Sequence, residues 1–369
     1  MVDPFPFVEI SGPPRQRGQQ YGEQARERIR KGVDHYKEQA GRLSLPRAEI
    51  EGVVHAYLPT IEAFEPAFCE EMQGIAEGAG IGYADVVLLN ARTEIMKLAE
   101  KPHLRAALMA SRVTPDGCTG VIVMPAATAS GRLIHAQNWD WKAECAETGV
   151  VLRVRRDDGP DILTFTEAGG LARAGFNENG VAVTGNYLES DRDYRSVNIP
   201  LALIRRKALE CDNLAMAMST IYATPKSASN NMMMSHKGGV AIDFECAPDE
   251  TFQVHPENGL LVHANHWISP VALSKLQDRG IVNMPSTLYR GIRARDLLTP
   301  HLGRIDIDTV RAALLDDFEA PWSLCQPRKK NARGVETATV AMIIMEPESG
   351  RMDVTPMPSD GNGPTRYTI

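Results

Sequence analysis

The chain has 369 residues, of which 43% are hydrophobic and 24% charged, and a net charge of −7. That balance excludes an extended disordered or low-complexity chain, and the acidic excess excludes a globally basic nucleic-acid surface. The longest apolar runs fall far short of the ~20 residues of a membrane span, and the opening Met-Val-Asp-Pro-Phe-Pro has no basic and apolar regions, so neither a membrane helix nor a signal peptide is expected.

In chain order, residues 7–10 read as a short strand. Residues 14–39 read as an amphipathic helix, with Tyr21, Ala25, Ile29 and Val33 on one face at spacings of four. Helical patterns follow over 50–64, 68–79 and 85–98, the last two separated by Gly78, Gly80 and Gly82. The character changes at Thr114-Pro115-Asp116-Gly117, after which short strands and tight turns dominate. Strands 119–124 and 132–138 form a predicted hairpin, and strand–turn–strand signals recur at 150–166 and 172–186. Helices are predicted at 201–209 and 212–221, strands at 231–235, 240–245, 251–254 and 260–263, helices at 286–298 and 308–315, and final strands at 337–345 and 352–356. Antiparallel meanders interrupted by helix pairs predict an α+β protein whose sheets are covered by helices. A doubly wound parallel sheet would alternate strand and helix one by one.

The six cysteines, Cys69, Cys118, Cys145, Cys211, Cys246 and Cys325, are scattered and form no CxxC pair. This is the pattern of reduced thiols in the cytoplasm, with room for one reactive cysteine among inert ones. Cys118 begins a strand directly after a glycine. Taken alone, such a cysteine is more often a small buried hydrophobe. The sharper reading is self-cleavage: the thiol attacks the Gly117 carbonyl, and glycine both tolerates strained backbone and offers no side chain to block attack. The new α-amine, with a reference pKa of about 7.7–8.0, is then placed to take the thiol proton, so one residue supplies nucleophile and base. A hairpin turn centred near Thr128–Ala129 sets position 118 opposite position 139, which brings Asp140 beside the new amine and thiol.

Asp116-Gly117-Cys118-Thr119 followed by His135-Ala136-Gln137-Asn138-Trp139-Asp140 resembles the cysteine-type Ntn hydrolases of the acyl-coenzyme A:6-aminopenicillanic acid acyltransferase (isopenicillin N acyltransferase-like) family. It is more distantly similar to the bile salt hydrolase and penicillin V acylase branch. Ile10-Ser11-Gly12 with Gly18 and Gly22, the block Asp85 to Glu94, the block Gly175 to Val181, and His263-Ala264-Asn265-His266-Trp267 extend the resemblance over nearly the whole chain.

The resemblance implies a four-layer αββα sandwich. It further implies a helical propeptide over 1–117 that is cut from a catalytic core over 118–369 and stays bound as a non-covalent subunit. It implies Cys118 as nucleophile, Asp140 as the group orienting its amine, Asn265 and Asn186 as oxyanion donors, and Arg290 as the partner of Asp140, with Arg293 three residues away. The bile salt branch has an arginine where this chain has Gln137, which puts a second guanidinium in doubt here.

Gln137, Trp139, Trp141 and Tyr187 are the candidate substrate contacts, with Trp139 and Trp141 equally able to fill the core. The expected reaction is hydrolysis of a linear amide, and the alternative is acyl transfer with an amine or a coenzyme A thioester as the other partner. No cofactor is implied, and self-association is left open. His263 and His266 form an HxxH, but positions i and i+3 of a strand face opposite sides and make a poor chelate, so no metal is expected. Met232-Met233-Met234 reads as strand core, and Arg328-Lys329-Lys330 as a solvated loop.

Overall fold

The computed structural model describes residues 2–42, 47–94, 117–330 and 334–369, without the side chains of 40–42, 47–50 and 53. Its N-terminal section holds strand β1 (Phe7–Ile10) and helices α1 (Pro14–Gln24), α2 (Arg26–Arg42), α3 (Arg47–Phe64), α4 (Pro66–Ala79) and α5 (Tyr83–Asn90). The single helix predicted over 14–39 is two, broken at Ala25, where φ −108° and ψ 15° leave the helical region. The helix predicted over 85–98 ends at Asn90, and residues 95–98 lie outside the described residues. Helices α1 and α4 cross closely because glycines line their contact: a Cβ on Gly18 would meet the Glu71 carbonyl oxygen at 2.0 Å, and one on Gly74 the Arg15 carbonyl oxygen at 2.1 Å.

The remaining strands are β2 (Gly117–Val123), β3 (Ile134–Lys142), β4 (Gly149–Val154), β5 (Ile162–Glu167), β6 (Ala174–Asn177), β7 (Val181–Tyr187), β8 (Asn230–His236), β9 (Val240–Cys246), β10 (Thr251–Val254), β11 (Leu260–His263), β12 (Lys329–Lys330), β13 (Glu336–Glu346), β14 (Arg351–Pro356) and β15 (Thr365–Thr368). They form two sheets. One runs β1-β4-β5-β6-β7-β8-β9-β10, and the other β11-β2-β3-β13-β14-β15 with β12 added to β13. All pairings are antiparallel except β1 on β4, so the N-terminal section supplies the edge strand of the first sheet.

Side-chain alternation sorts the apolar residues into three interfaces. Val150, Leu152 and Val183 face the N-terminal helices and helices Leu201–Leu209 and Leu214–Ala223. Phe165, Phe176 and Ala182 meet Trp139, Ile343 and Val354 between the sheets. Val121, Val123, Met342 and Ile344 pack under helices Thr287–Leu298 and Ile307–Leu314. The order is helix, sheet, sheet, helix: the α+β, four-layer αββα sandwich. Met232, Met233 and Met234 are fully buried in β8.

A buried ion cluster also joins the N-terminal helices to the core. Glu71 of α4 accepts from Arg206 Nη1 and Nη2 at 3.0 and 2.9 Å and from Arg17 Nη2 at 3.1 Å. Glu71 and Arg206 have no exposure to solvent.

Candidate active site

Strands β2 and β3 pair with Cys118 opposite Trp139 and Gly117 opposite Asp140, the register the hairpin predicts. Cys118 is buried with Trp139 between the two sheets, while Thr119, one residue on, faces the helix Thr287–Leu298 and Arg290. Alternation therefore puts the Cys118 thiol and the Asp140 carboxyl on opposite faces of the sheet. Asp140 flanks the backbone at position 117 rather than the thiol: a Cβ on Gly117 would stand 2.9 Å from Asp140 Cβ and 2.9 Å from its Oδ2. Gly117 is not in the left-handed region. Glycine allows this close approach to Asp140.

Two hydrogen bonds fix the backbone of Cys118. The Cys118 N–H donates to Asn265 Oδ1 at 2.8 Å, and the Cys118 carbonyl accepts from Arg290 Nη1 at 2.6 Å. Asp140 Oδ1 accepts from Thr339 Oγ1 at 2.6 Å, while Oδ2 is buried without a hydrogen-bond partner among the described residues. Burial raises the Asp140 pKa, against the lowering effects of Arg290, Thr339, Lys329 and Arg173.

Arg290 does not form the expected ion pair with Asp140. Its hydrogen bonds go to the Cys118 carbonyl, to Thr119 Oγ1 at 2.8 Å and to Asn265 Oδ1 at 2.8 Å, because the guanidinium enters from the helix side at the level of β2. It reaches Asp140 only through space. Arg293 turns away and binds Asp316 at 2.8 Å.

The two asparagines are engaged internally. Asn265 Nδ2 donates to the Tyr187 carbonyl at 2.9 Å, and the Asn186 N–H donates to Asn231 Oδ1 at 3.3 Å. Asn186 Nδ2 also donates to the His263 carbonyl at 3.0 Å.

Two small cavities flank Cys118. One, of about 40 Å³, is lined by Arg92, Glu94, Arg173, Tyr187 and Arg205. The other, of about 50 Å³, is lined by Gly117, Asp140, Trp141, Met284, Trp322 and Lys329. Gln137 and Trp139 line neither. Gln137 Nε2 bridges the sheets to the Gly185 carbonyl and Asn186 Oδ1, each at 2.7 Å. Trp139 is core, with its ring 5.7 Å from that of Phe165. Trp141 donates from Nε1 to Tyr36 Oη at 3.2 Å.

Two residues escaped the sequence reading. Arg173, entering β6, places Nη2 3.5 Å from Cys118 Sγ and its guanidinium 4.3 Å from the Trp139 ring centre. The second guanidinium that Gln137 put in doubt is thus present, delivered from the facing sheet. The available signal was an arginine inside an otherwise apolar strand. Lys329 is not in a solvated loop: it lies in β12, with Nζ 2.7 Å from the Pro321 carbonyl and 3.9 Å from the Trp322 ring centre.

The strand β11 stops at His263, so strand alternation does not separate its ring from that of His266, and the two stack at 6.5 Å. Each is engaged elsewhere, His263 Nε2 with Glu245 at 2.8 Å and His266 Nδ1 with Thr287 Oγ1 at 2.9 Å. Among the described residues no group of three His, Cys, Asp or Glu side chains could hold a metal. Nor is any described helix long and apolar enough to cross a membrane.

A family model described as acyl-coenzyme A:6-aminopenicillanic acid acyl-transferase matches residues 127–356, a span that begins after Cys118. The chain is 31% identical over 263 residues to the acyl-coenzyme A:6-aminopenicillanic-acid-acyltransferase 40 kDa form of Emericella nidulans, covering 71% of this chain and 69% of that one. Among solved structures it is similar to a single-residue variant of the conjugated bile acid hydrolase from Clostridium perfringens, with TM-score 0.49 and 14% identity over 68% of this chain and 97% of that one. It is also similar to penicillin V acylase from Agrobacterium tumefaciens, with TM-score 0.45 and 11% identity over 68% and 85% of the two chains. By its match to the family model and its identity to the Emericella enzyme, the chain belongs to the acyl-coenzyme A:6-aminopenicillanic acid acyl-transferase family.

Proposed function

We propose that this enzyme is a self-processing N-terminal-nucleophile amidohydrolase that cleaves a linear amide through a thioester on Cys118. The observation that carries this reading is the clamp on the Gly117–Cys118 bond. Asn265 Oδ1 holds the amide N–H, and the unpartnered Oδ2 of Asp140 lies beside Gly117. In self-cleavage Sγ attacks the Gly117 carbonyl carbon, a C–S bond replaces the C–N bond, and the thiol proton passes to the departing nitrogen. Water then opens the thioester, leaving a Gly117 carboxylate and a free amine on Cys118. Asn265 Oδ1 and Asp140 Oδ2 are the acceptors for that amine, which takes the thiol proton in turnover.

A substrate amide is attacked in the same way. Its developing oxyanion takes over the donors that the Tyr187 carbonyl and Asn231 Oδ1 occupy in the uncut chain, Asn265 Nδ2 and the Asn186 N–H. Arg290 acts as a positioning residue, fixing the Cys118 carbonyl and Asn265 Oδ1 together. The N-terminal section stays bound as a subunit, held by β1, the shared apolar core and the Glu71–Arg206 pair. Six free cysteines fit a reducing compartment such as the cytoplasm.

Acyl transfer is the second reading, favoured by family membership: the thioester would pass its acyl group to an amine instead of water, with a coenzyme A thioester as an alternative donor. Denaturing electrophoresis tests the shared first step. Wild-type protein should give fragments of about 13 and 28 kDa from the 40.5 kDa chain, and Cys118→Ala a single full-length band. A large fragment that does not begin at Cys118, or full activity in an uncut chain, would overturn the reading. On processed enzyme, release of free acid without added amine marks hydrolysis, and product formed only with an acyl-CoA marks transfer.

A further inference from the structure

Among the described residues, the Asp140 carboxyl takes its hydrogen bond from Thr339, whose Oγ1 donates to Oδ1 at 2.6 Å. Strand β13 breaks its own alternation to make that contact. Ala341, Ile343 and Met345 point between the sheets, and that parity carried back along the strand would turn Thr339 between them as well. Instead the register with β3 shifts between Thr339 and Ala341, which makes Val340 the extra residue of a bulge. Val340 and Ala341, neighbours in the chain, both pack between the sheets. Thr339 is thereby set opposite Asp140 and on its face.

A second contact fixes the direction of the hydroxyl. The Gln326 N–H donates to Thr339 Oγ1 at 2.7 Å, and the Thr339 N–H donates back to the Gln326 carbonyl at 2.9 Å. A backbone N–H can only donate, so the Thr339 oxygen is the acceptor there and its one proton is left for Asp140. Oδ1 is therefore an acceptor whether or not Asp140 is ionised, and any proton on the carboxyl sits on Oδ2. Oδ2 has no partner among the described residues and stands against Gly117, with which Asp140 lines a cavity.

Resting on the reading of Asp140 as the group that orients the Cys118 amine, we infer that Thr339 is a positioning residue. The bulge and the Gln326 contact commit its hydroxyl to Oδ1, so that Oδ2 is the oxygen presented to the amine. The other charged and titratable groups that act on Asp140 are Arg290 of helix Thr287–Leu298, Lys329 of β12, Arg173 beside β6, and Cys325.

Alkylation of Cys118 by iodoacetamide, read by peptide mass on the cut fraction of each variant from about pH 5 to about pH 9, tests this without a substrate, because the thiolate is the reacting form. Thr339→Val fills the space of the hydroxyl, and Thr339→Ala leaves it open. Both should raise the midpoint of the profile by about half to one pH unit, because a hydrogen bond to a carboxylate favours its charged form and so the ammonium–thiolate pair beside it. Thr339→Ser keeps both hydrogen bonds of the hydroxyl and should stay within about 0.2 units of wild type. Arg290, Lys329, Arg173 and Cys325 are the same in all of these, so the difference reads the hydroxyl.

Asp140→Asn should raise the midpoint at least as far, and adding Thr339→Ala to it should raise it no further. A merely structural role for the hydroxyl would give additive shifts. If valine and alanine block processing in protein that still melts cooperatively, serine must give the two bands. A serine variant that stays uncut, a wild-type profile in both the valine and alanine variants, or additive shifts overturns the positioning role. A profile unmoved by Asp140→Asn would instead remove the carboxylate itself, and with it the reading on which this inference rests.

Discussion

The two flanks of Cys118 are built on opposite electrostatic plans. On the Asp140 side, one carboxylate is surrounded by groups that favour its charge: Arg290 and Lys329 through space and Thr339 by a hydrogen bond at 2.6 Å. Every one of these groups comes from the seven-stranded sheet or the helix covering it. On the Arg173 side, guanidiniums gather from the eight-stranded sheet, helix Leu201–Leu209 and the N-terminal section. The first flank fixes the backbone around Gly117 and Cys118. The second brings one guanidinium, that of Arg173, to the thiol. On the proposed reading, the contrast places the groups beside the bond to be cut and the group that meets the thiol on different faces of β2.

The largest expected effect comes from removing the charge on the first flank. Asp140→Asn keeps the Thr339 contact but loses the anion beside Gly117. Activity per processed molecule should fall roughly 10²- to 10⁴-fold, the range for a group serving proton transfer. Fragment quantification beside steady-state kinetics checks this, and activity within about threefold of wild type would remove Asp140 from the mechanism.

Gly117→Ala sharpens the comparison further. The added Cβ, 2.9 Å from Asp140 Oδ2, must push the carboxyl aside. Misplacement on the order of 1 Å can cost about 10²-fold, so self-cleavage should slow by at least ~10-fold in a time course on a gel. Residue 117 belongs to the departing segment, so molecules that do process should turn over amide like wild type. A processed variant with impaired kcat would show that the flank acts in both steps through residue 117.

The first flank was legible because it is local. A hairpin register and one turn length set Gly117 against Asp140, and the observed pairing follows them. The α+β class was legible from the succession of helix pairs and meanders, whereas the layer order came from the family resemblance. The second flank was not. Arg173 meets Cys118 only because two sheets stack face to face, and nothing in the spacing between residues 118 and 173 encodes that stacking. Arg205 adds a helix packed on the far side of the same sheet. The Arg290–Asp140 pairing failed for a related reason: a helical position fixes which face a long side chain leaves from, but its free end takes the nearest strong acceptor, here the Cys118 carbonyl. Lys329 was misread because a run of three basic residues after a proline resembles a solvated loop, whereas two of them form a short strand on β13.

Lys329 gives the smallest and most specific test, a pH dependence confined to the Asp140 flank. Burial pushes its ammonium down to about 8, with Asp140 raising it and Arg290 lowering it further. An unfolded lysine titrates near 10.4. Below about pH 8 both states carry the proton, and the folded protein bears the cost of burying the charge. Between about 8 and 10.4 the folded state releases its proton while the unfolded state keeps it. The unfolded state then binds more protons, so stability contributed through Lys329 rises with pH across that window. Lys329→Met retains the length of the side chain without the titration. The difference in Tm, wild type minus variant, should therefore increase from about pH 8 to about pH 10 in parallel thermal melts. A difference that stays flat across the window would mean that the Lys329 ammonium is solvated, and the electrostatic contrast between the two flanks would then rest on Arg290 alone.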